Sequence, residues 1–131
     1  MIWLIGMGGA LGACCRYLFG IWIKRYISTH FPIPTWVINI SGSFLLGVLA
    51  NLYSLDQIED LVWSFWGIGF CGAYTTFSTF SLEVATLLED NRYKTACLYI
   101  GSSLIMGIIA SFLGYMISPK FLLIANFPYQ R

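Results

Sequence analysis

The chain has 131 residues, of which 58% are hydrophobic and only 10% charged, with a net charge of +1 and a mean hydropathy of +0.75. Too little polar surface exists to cover a water-soluble core, so the sequence describes an integral membrane protein, without room for a separate catalytic module or a nucleic-acid-binding tail. The net charge says nothing about partners.

Four apolar segments, Ile2 to Ile23, Thr35 to Tyr53, Leu61 to Leu88 and Thr95 to Ile117, predict an all-α, four-span membrane domain covering residues 1–131. The first segment is expected to be a retained span rather than a cleaved signal. It lacks a positive leader, carries Gly6, Gly8, Gly9 and Gly12 where a signal core is leucine-rich, and continues past Arg16. Gly8 with Gly12, Gly9 with Ala13 and Gly6 with Ala10 form small faces on which another helix can approach closely. Arg16 has two readings: a site residue facing a bundle interior or water cavity, or a side chain snorkelling to the interface. The four cysteines, Cys14, Cys15, Cys71 and Cys97, lack metal-site spacing and read as small packing residues.

The first loop, Lys24 to Pro34, holds the lone histidine, His30, expected in solvent, and Pro34, suited to the first turn of the next helix. Segment two places Asn39, Ser43 and Gly47 four residues apart on one face. Asn39 is either an interhelical hydrogen-bonding contact or a pore ligand donating its amide hydrogens. The acidic second loop, Ser54 to Asp60, reads as a solvated turn.

Segment three is too long for one straight span, since its 28 residues at 1.5 Å each give roughly 42 Å of helix against about 30 Å of hydrocarbon. A break is predicted from Gly72 to Thr75, near the midpoint. Unwound backbone at that depth is tolerated only where it is buried in protein or lines an aqueous path. The hydroxyl-rich stretch Gly72 to Ser81 is therefore the expected functional centre. Segment four sets Tyr99, Ser103, Gly107 and Ser111 on one face at steps of four, either lining a path or bonding a neighbouring helix.

Depth connects these fragments. Arg16 comes late in segment one, Asn39 early in segment two, Phe77 to Glu83 late in segment three, and Tyr99 and Ser103 early in segment four. All lie toward the side of the first and third loops, and Arg16 and Glu83 are expected at depths that allow them to pair. Apart from Glu83, near an end, there is no membrane carboxylate, while Arg16, Asn39, Tyr99 and the Ser and Thr residues all offer donors, which suit an anion. Phe77 and Phe80, neighbours on a helix, present ring edges that are partly positive, although paired phenylalanines in a span commonly serve packing.

Three motifs occur in order: Gly-Gly-x-x-Gly-Ala-x-x-Arg-Tyr at Gly8 to Tyr17, Asn-x-x-Gly-x-Phe-x-x-Gly at Asn39 to Gly47, and Gly-x-x-Thr-Thr-Phe-Ser-Thr-Phe at Gly72 to Phe80. With them the chain resembles the CrcB/Fluc family of fluoride channels over its whole length. The resemblance implies an antiparallel, dual-topology dimer with two fluoride pores and a structural sodium ion at its centre. Carried over, the pore residues are Asn39, Phe77 and Phe80, and the sodium ligands are backbone carbonyls of Gly72 and Thr75. The later hydroxyl track maps onto Tyr99 and Ser103, with Gly107 where the family often has Ser or Thr. Ser78, Thr79 and Arg16 complete the expected anion pore.

The implied activity is passive fluoride export across the cell membrane, without enzymatic chemistry or an organic cofactor. Fluoride enters as its neutral acid from an acidic exterior and is trapped as the anion. The pore replaces its hydration shell with donors. Two alternatives remain at this stage: a small proton-coupled multidrug exporter, which needs a carboxylate typically in the first span where this chain has Arg16, and a non-conducting membrane subunit. Lys24, Arg25, Arg92 and Lys94 on one side, against Lys120 and Arg131 on the other, give a weak topological bias compatible with inverted insertion. The expected partners are fluoride, membrane lipid and an inverted second copy, with a related chain as the less favoured partner.

Overall fold

The computed structural model describes the backbone of residues 1–124 and the side chains through residue 117. Its elements are α1 (Ile2–Tyr26), α2 (Ile33–Ser54), α3 (Asp60–Val62), a π-helix (Trp63–Cys71), α4 (Gly72–Tyr74), α5 (Ser78–Glu89) and α6 (Tyr93–Ile124). Three stretches are long and apolar enough to cross a membrane: Ile2–Tyr26, Ile33–Ser54 and Tyr93–Ile117. Their ends lie within a turn of those expected for segments one, two and four. Pro34 sits in the first turn of α2, where its missing N–H costs nothing, and Lys24 and Arg25 lie in the last turn of α1, where positive charge suits the helix dipole. The side chain of Lys120 and the whole of Arg131, used in the topology count, lie outside the described residues.

Segment three departs from its expected form. After the short α3 it runs as a nine-residue π-helix, a conformation rare at this length, and the predicted break is displaced. Gly72 is helical, with φ −62° and ψ −34°, and the helix runs unbroken through Tyr74. The chain unwinds only at Thr75, with φ −76° and ψ 157°, and becomes helical again at Ser78. The expectation of a break beginning at Gly72 is therefore corrected to Thr75–Phe77. The reason is that an unwound residue needs new partners for its backbone. Those partners are offered at Thr76, by Asn39 of α2, and not at Gly72.

Glycines set how closely the helices approach. A Cβ at Gly8 would overlap the carbonyl oxygen of Phe65, and one at Gly12 that of Phe70, so α1 lies directly against the π-helix backbone. Gly6 faces open space and makes no such contact. The α2–α6 seam is built the same way, with Gly47 against the carbonyl of Ser111 and Gly114 against that of Phe44. At the end near the first and third loops, Leu87, Ala96 and Tyr99 form a buried cluster, with Phe31, Trp36, Phe80 and Val84 packed on it. Trp36 Nε1 also donates to Ser102 Oγ at 3.1 Å, tying α2 to α6. Cys71 is buried as a packing residue should be, whereas Cys14 and Cys97 face outward and do not pack within the chain.

Candidate functional site

The break is held by one side chain. Asn39 Nδ2 donates to the carbonyl of Thr76 at 2.9 Å, and the Thr76 N–H donates to Asn39 Oδ1 at 2.8 Å. The carboxamide thus pairs with both backbone groups of a single unwound residue, as a neighbouring strand would. The interhelical role of Asn39 is therefore present in the structure. Its second amide hydrogen has no partner among the described residues, and Asn39 lines a cavity. Thr76, itself buried, adds a cap. Its Oγ1 accepts from the Thr79 N–H at 3.2 Å and approaches Ser78 Oγ at 3.3 Å, restarting the chain as α5. Gly42 makes the fit possible, because a Cβ there would overlap Thr75 Cγ2.

Two cavities flank this break, and Thr76 lines both. The first, about 280 Å³, is walled by Asn39, Ser43, Phe77, Phe80 and Ser103, with apolar Leu46 and Leu104. The phenylalanine rings stand 5.9 Å apart between centroids and are tilted by 34°. Phe80 is backed by Tyr99 at 4.9 Å, whereas Phe77 is 79% exposed and reaches out from the single chain. Ser103 Oγ is buried without a hydrogen-bond partner among the described residues, an unusual state for a polar atom in a folded chain.

The second cavity, about 320 Å³, lies on the other side and is lined by Arg16, Lys24, Thr35, Thr79 and Glu83. Arg16 and Glu83 share this space, but the expected pair does not form within the 4.0 Å of an ion pair. Glu83 instead accepts from Thr35 Oγ1 at 2.8 Å and from the Tyr99 hydroxyl at 2.7 Å. Two charge-assisted hydrogen bonds reduce the cost of a carboxylate there. They also occupy Tyr99, which is 0% exposed, so its hydroxyl faces Glu83 and not a path.

Of the expected anion residues, the structure brings Asn39, Phe77, Phe80 and Ser103 to one cavity. It places Arg16 and Thr79 on the other, leaves Ser78 on the outer surface, and buries Tyr99 beneath Phe80. His30 is exposed as expected, 3.2 Å from an Arg92 nitrogen. Sequence reasoning gave no role to Gly42 or Thr76 and saw Glu83 only as a partner for Arg16. The signal for Gly42 was present in its place three residues after Asn39, one turn along the same helix face.

The geometry also bears on a cation. Both the N–H and Oγ1 of Thr75 donate to the Cys71 carbonyl, at 3.1 and 2.9 Å. The Thr76 N–H, which would otherwise close the next helical bond onto Gly72, goes to Asn39. The carbonyl oxygen of Gly72 is left at a helix C-terminus without that bond, and a Cβ at Gly72 would meet nothing within 4 Å among the described residues. A backbone carbonyl of this kind is one oxygen ligand a hard cation can take.

Comparison with known proteins shows the family to which this sequence belongs. The sequence profile described as "CrcB-like protein, Camphor Resistance (CrcB)" matches residues 3–115. A "Fluoride-specific ion channel FluC" from Acidobacterium capsulatum is 42% identical over 120 residues, spanning 88% of this chain and 94% of that protein. "Fluoride-specific ion channel FluC 2" from Bacillus subtilis is 43% identical over 114 residues, spanning 87% of this chain and 84% of the relative. "Fluoride-specific ion channel FluC 1" from Listeria monocytogenes is 44% identical over 114 residues, spanning 87% and 93%. A match this extensive, on a chain of membrane-spanning helices, places the protein in the CrcB-like family.

Proposed function

We propose that this chain is a fluoride-specific, passive ion channel that exports fluoride and protects the cell from it. The observation that carries the reading is the cavity beside the break. It combines the amide of Asn39, which gives one of its two hydrogens to Thr76, the hydroxyl of Ser103, unpartnered among the described residues, and two phenylalanine rings in a space of about 280 Å³ whose described wall carries no carboxylate. Donors without acceptor charge suit a small, strongly hydrated anion, and the names of the relatives support fluoride. The Arg16 and Lys24 side of the second cavity supplies positive charge to draw an anion toward the break. Liposomes containing only this protein are expected to release fluoride and retain chloride. Fluoride retention in these liposomes would overturn the reading.

We further infer that the working form is an antiparallel two-fold homodimer in the cell membrane, with lipid around its apolar flanks. The polar groups Asn39, Ser43, Thr76 and Ser103 gather beside the break, and Phe77 projects from the chain without a covering partner among the described residues. An inverted copy would supply the other half of the path. Carbonyls of Gly72 and Thr75 from both copies would then hold a structural sodium ion, which supplies fixed positive charge between two helix C-termini. Labelling of the C-terminal tail on intact cells is expected to reach it from both faces when this chain is expressed alone. Access from one face only removes the antiparallel homodimer. Dimers that stay intact when choline replaces all sodium remove the ion.

A further inference from the structure

The face of α6 that carries Tyr99, Ser103, Gly107 and Ser111 runs past the first cavity, yet its hydroxyls are unequal. That of Tyr99 is bonded to Glu83. Ser103 Oγ is buried and has no partner among the described residues. Gly107 has no side chain. Ser111 Oγ donates back to the Ile108 carbonyl at 3.0 Å, and its backbone presses on Gly47 in the α2–α6 seam. One turn beyond Ser103, α6 therefore offers nothing with which to bind an anion.

The opposite helix fills that position. Ser43 lies one turn after Asn39 on α2 and lines the same cavity as Ser103. Its Oγ stands 3.7 Å from where a Cβ of Gly107 would be. At rest Ser43 Oγ donates to the Asn39 carbonyl at 2.8 Å. That carbonyl also lies within α2, where it is the natural acceptor of the Ser43 N–H. Turning the hydroxyl hydrogen away thus leaves the carbonyl with its helical bond, and such local back-bonds are weak.

We propose that Ser43 supplies from α2 the hydroxyl that α6 lacks at Gly107, so that the donor line leading away from the phenylalanines runs from Ser103 to Ser43. This rests on the anion-channel reading above. The ligand it recognises is a small anion that accepts two hydrogen bonds while shedding water.

The position opposite allows a test that a packing role would not pass. A Cβ at 3.7 Å from Ser43 Oγ is in ordinary van der Waals contact, so position 107 accepts a Cβ without a clash, and removing the Ser43 hydroxyl clears the space nearest to it. In fluoride-loaded liposomes, Ser43→Ala is expected to slow efflux about tenfold, the scale of one lost hydrogen bond. Adding Gly107→Ser to Ser43→Ala should restore it to within about threefold of wild type, because the hydroxyl returns from the other wall. Gly107→Ala in the same background adds bulk without a donor and should not restore it. Ser43→Cys, close in volume but a weak donor, should be slow as well. A wild-type rate in Ser43→Ala or Ser43→Cys, or equal rescue by Gly107→Ala and Gly107→Ser, overturns the role of Ser43 while leaving the channel reading intact. Wild-type liposomes that release no fluoride overturn both.

Discussion

Asn39→Asp is expected to cut fluoride efflux by about a thousandfold. The substitution is nearly isosteric, and one carboxylate oxygen can still accept from the Thr76 N–H. The other replaces a donor with an acceptor and faces the Thr76 carbonyl, so the bond now at 2.9 Å is lost. Leaving that buried group unpaired costs about 1–3 kcal/mol, which loosens the break. The larger effect is on the anion. A carboxylate at the cavity wall, about 4 Å from a passing unit charge at an effective dielectric of about 20, opposes it by about 4 kcal/mol. That is about three factors of ten in rate. Efflux from liposomes, with size exclusion to confirm assembly, is the measurement. Efflux near the wild-type rate from an assembled Asn39→Asp chain would place the anion path elsewhere.

Phe77→Ile and Phe80→Ile are expected to slow fluoride by about tenfold or more, because isoleucine keeps apolar bulk but has no positive ring edge. The two are not equivalent tests. Phe80 packs against Tyr99 in the buried cluster at the loop end, so its replacement also loosens the fold. Phe77 is 79% exposed in the single chain and has little packing to lose. A slowed Phe77→Ile channel that assembles normally therefore reports on the ring itself. Undiminished efflux in both variants would assign the rings to packing.

The straight spans were legible because an uninterrupted apolar run has few other stable forms in a bilayer. The π-helix was not, since Trp63 to Cys71 carries the same residue types as an ordinary membrane helix. Its packing partner, the Gly8 and Gly12 face, lies over fifty residues upstream. The break was expected three residues too early for a related reason. Glycine marks where a helix is easily distorted, but the unwinding sits where Asn39 takes over the bonds of Thr76, a contact 37 residues apart in sequence. Asn39, Phe77, Phe80 and Ser103 were recognisable as a group from their common depth. Arg16 and Tyr99 were grouped with them because depth gives height in the membrane and not direction around a helix axis. Arg16 turned out to face the second cavity and Tyr99 to face Glu83.

The pair of hydrogen bonds between Asn39 and Thr76 also fixes the form of the third segment. Rewinding Thr76 into a continuous helix would require both bonds, at 2.9 and 2.8 Å, to be given up together. The interruption in the third segment is therefore a fixture and not a hinge. If the chain conducts as proposed, a conduit built on a fixed break would safeguard the membrane potential by what its opening rejects, and discrimination against chloride would be the quantity on which its fitness depends.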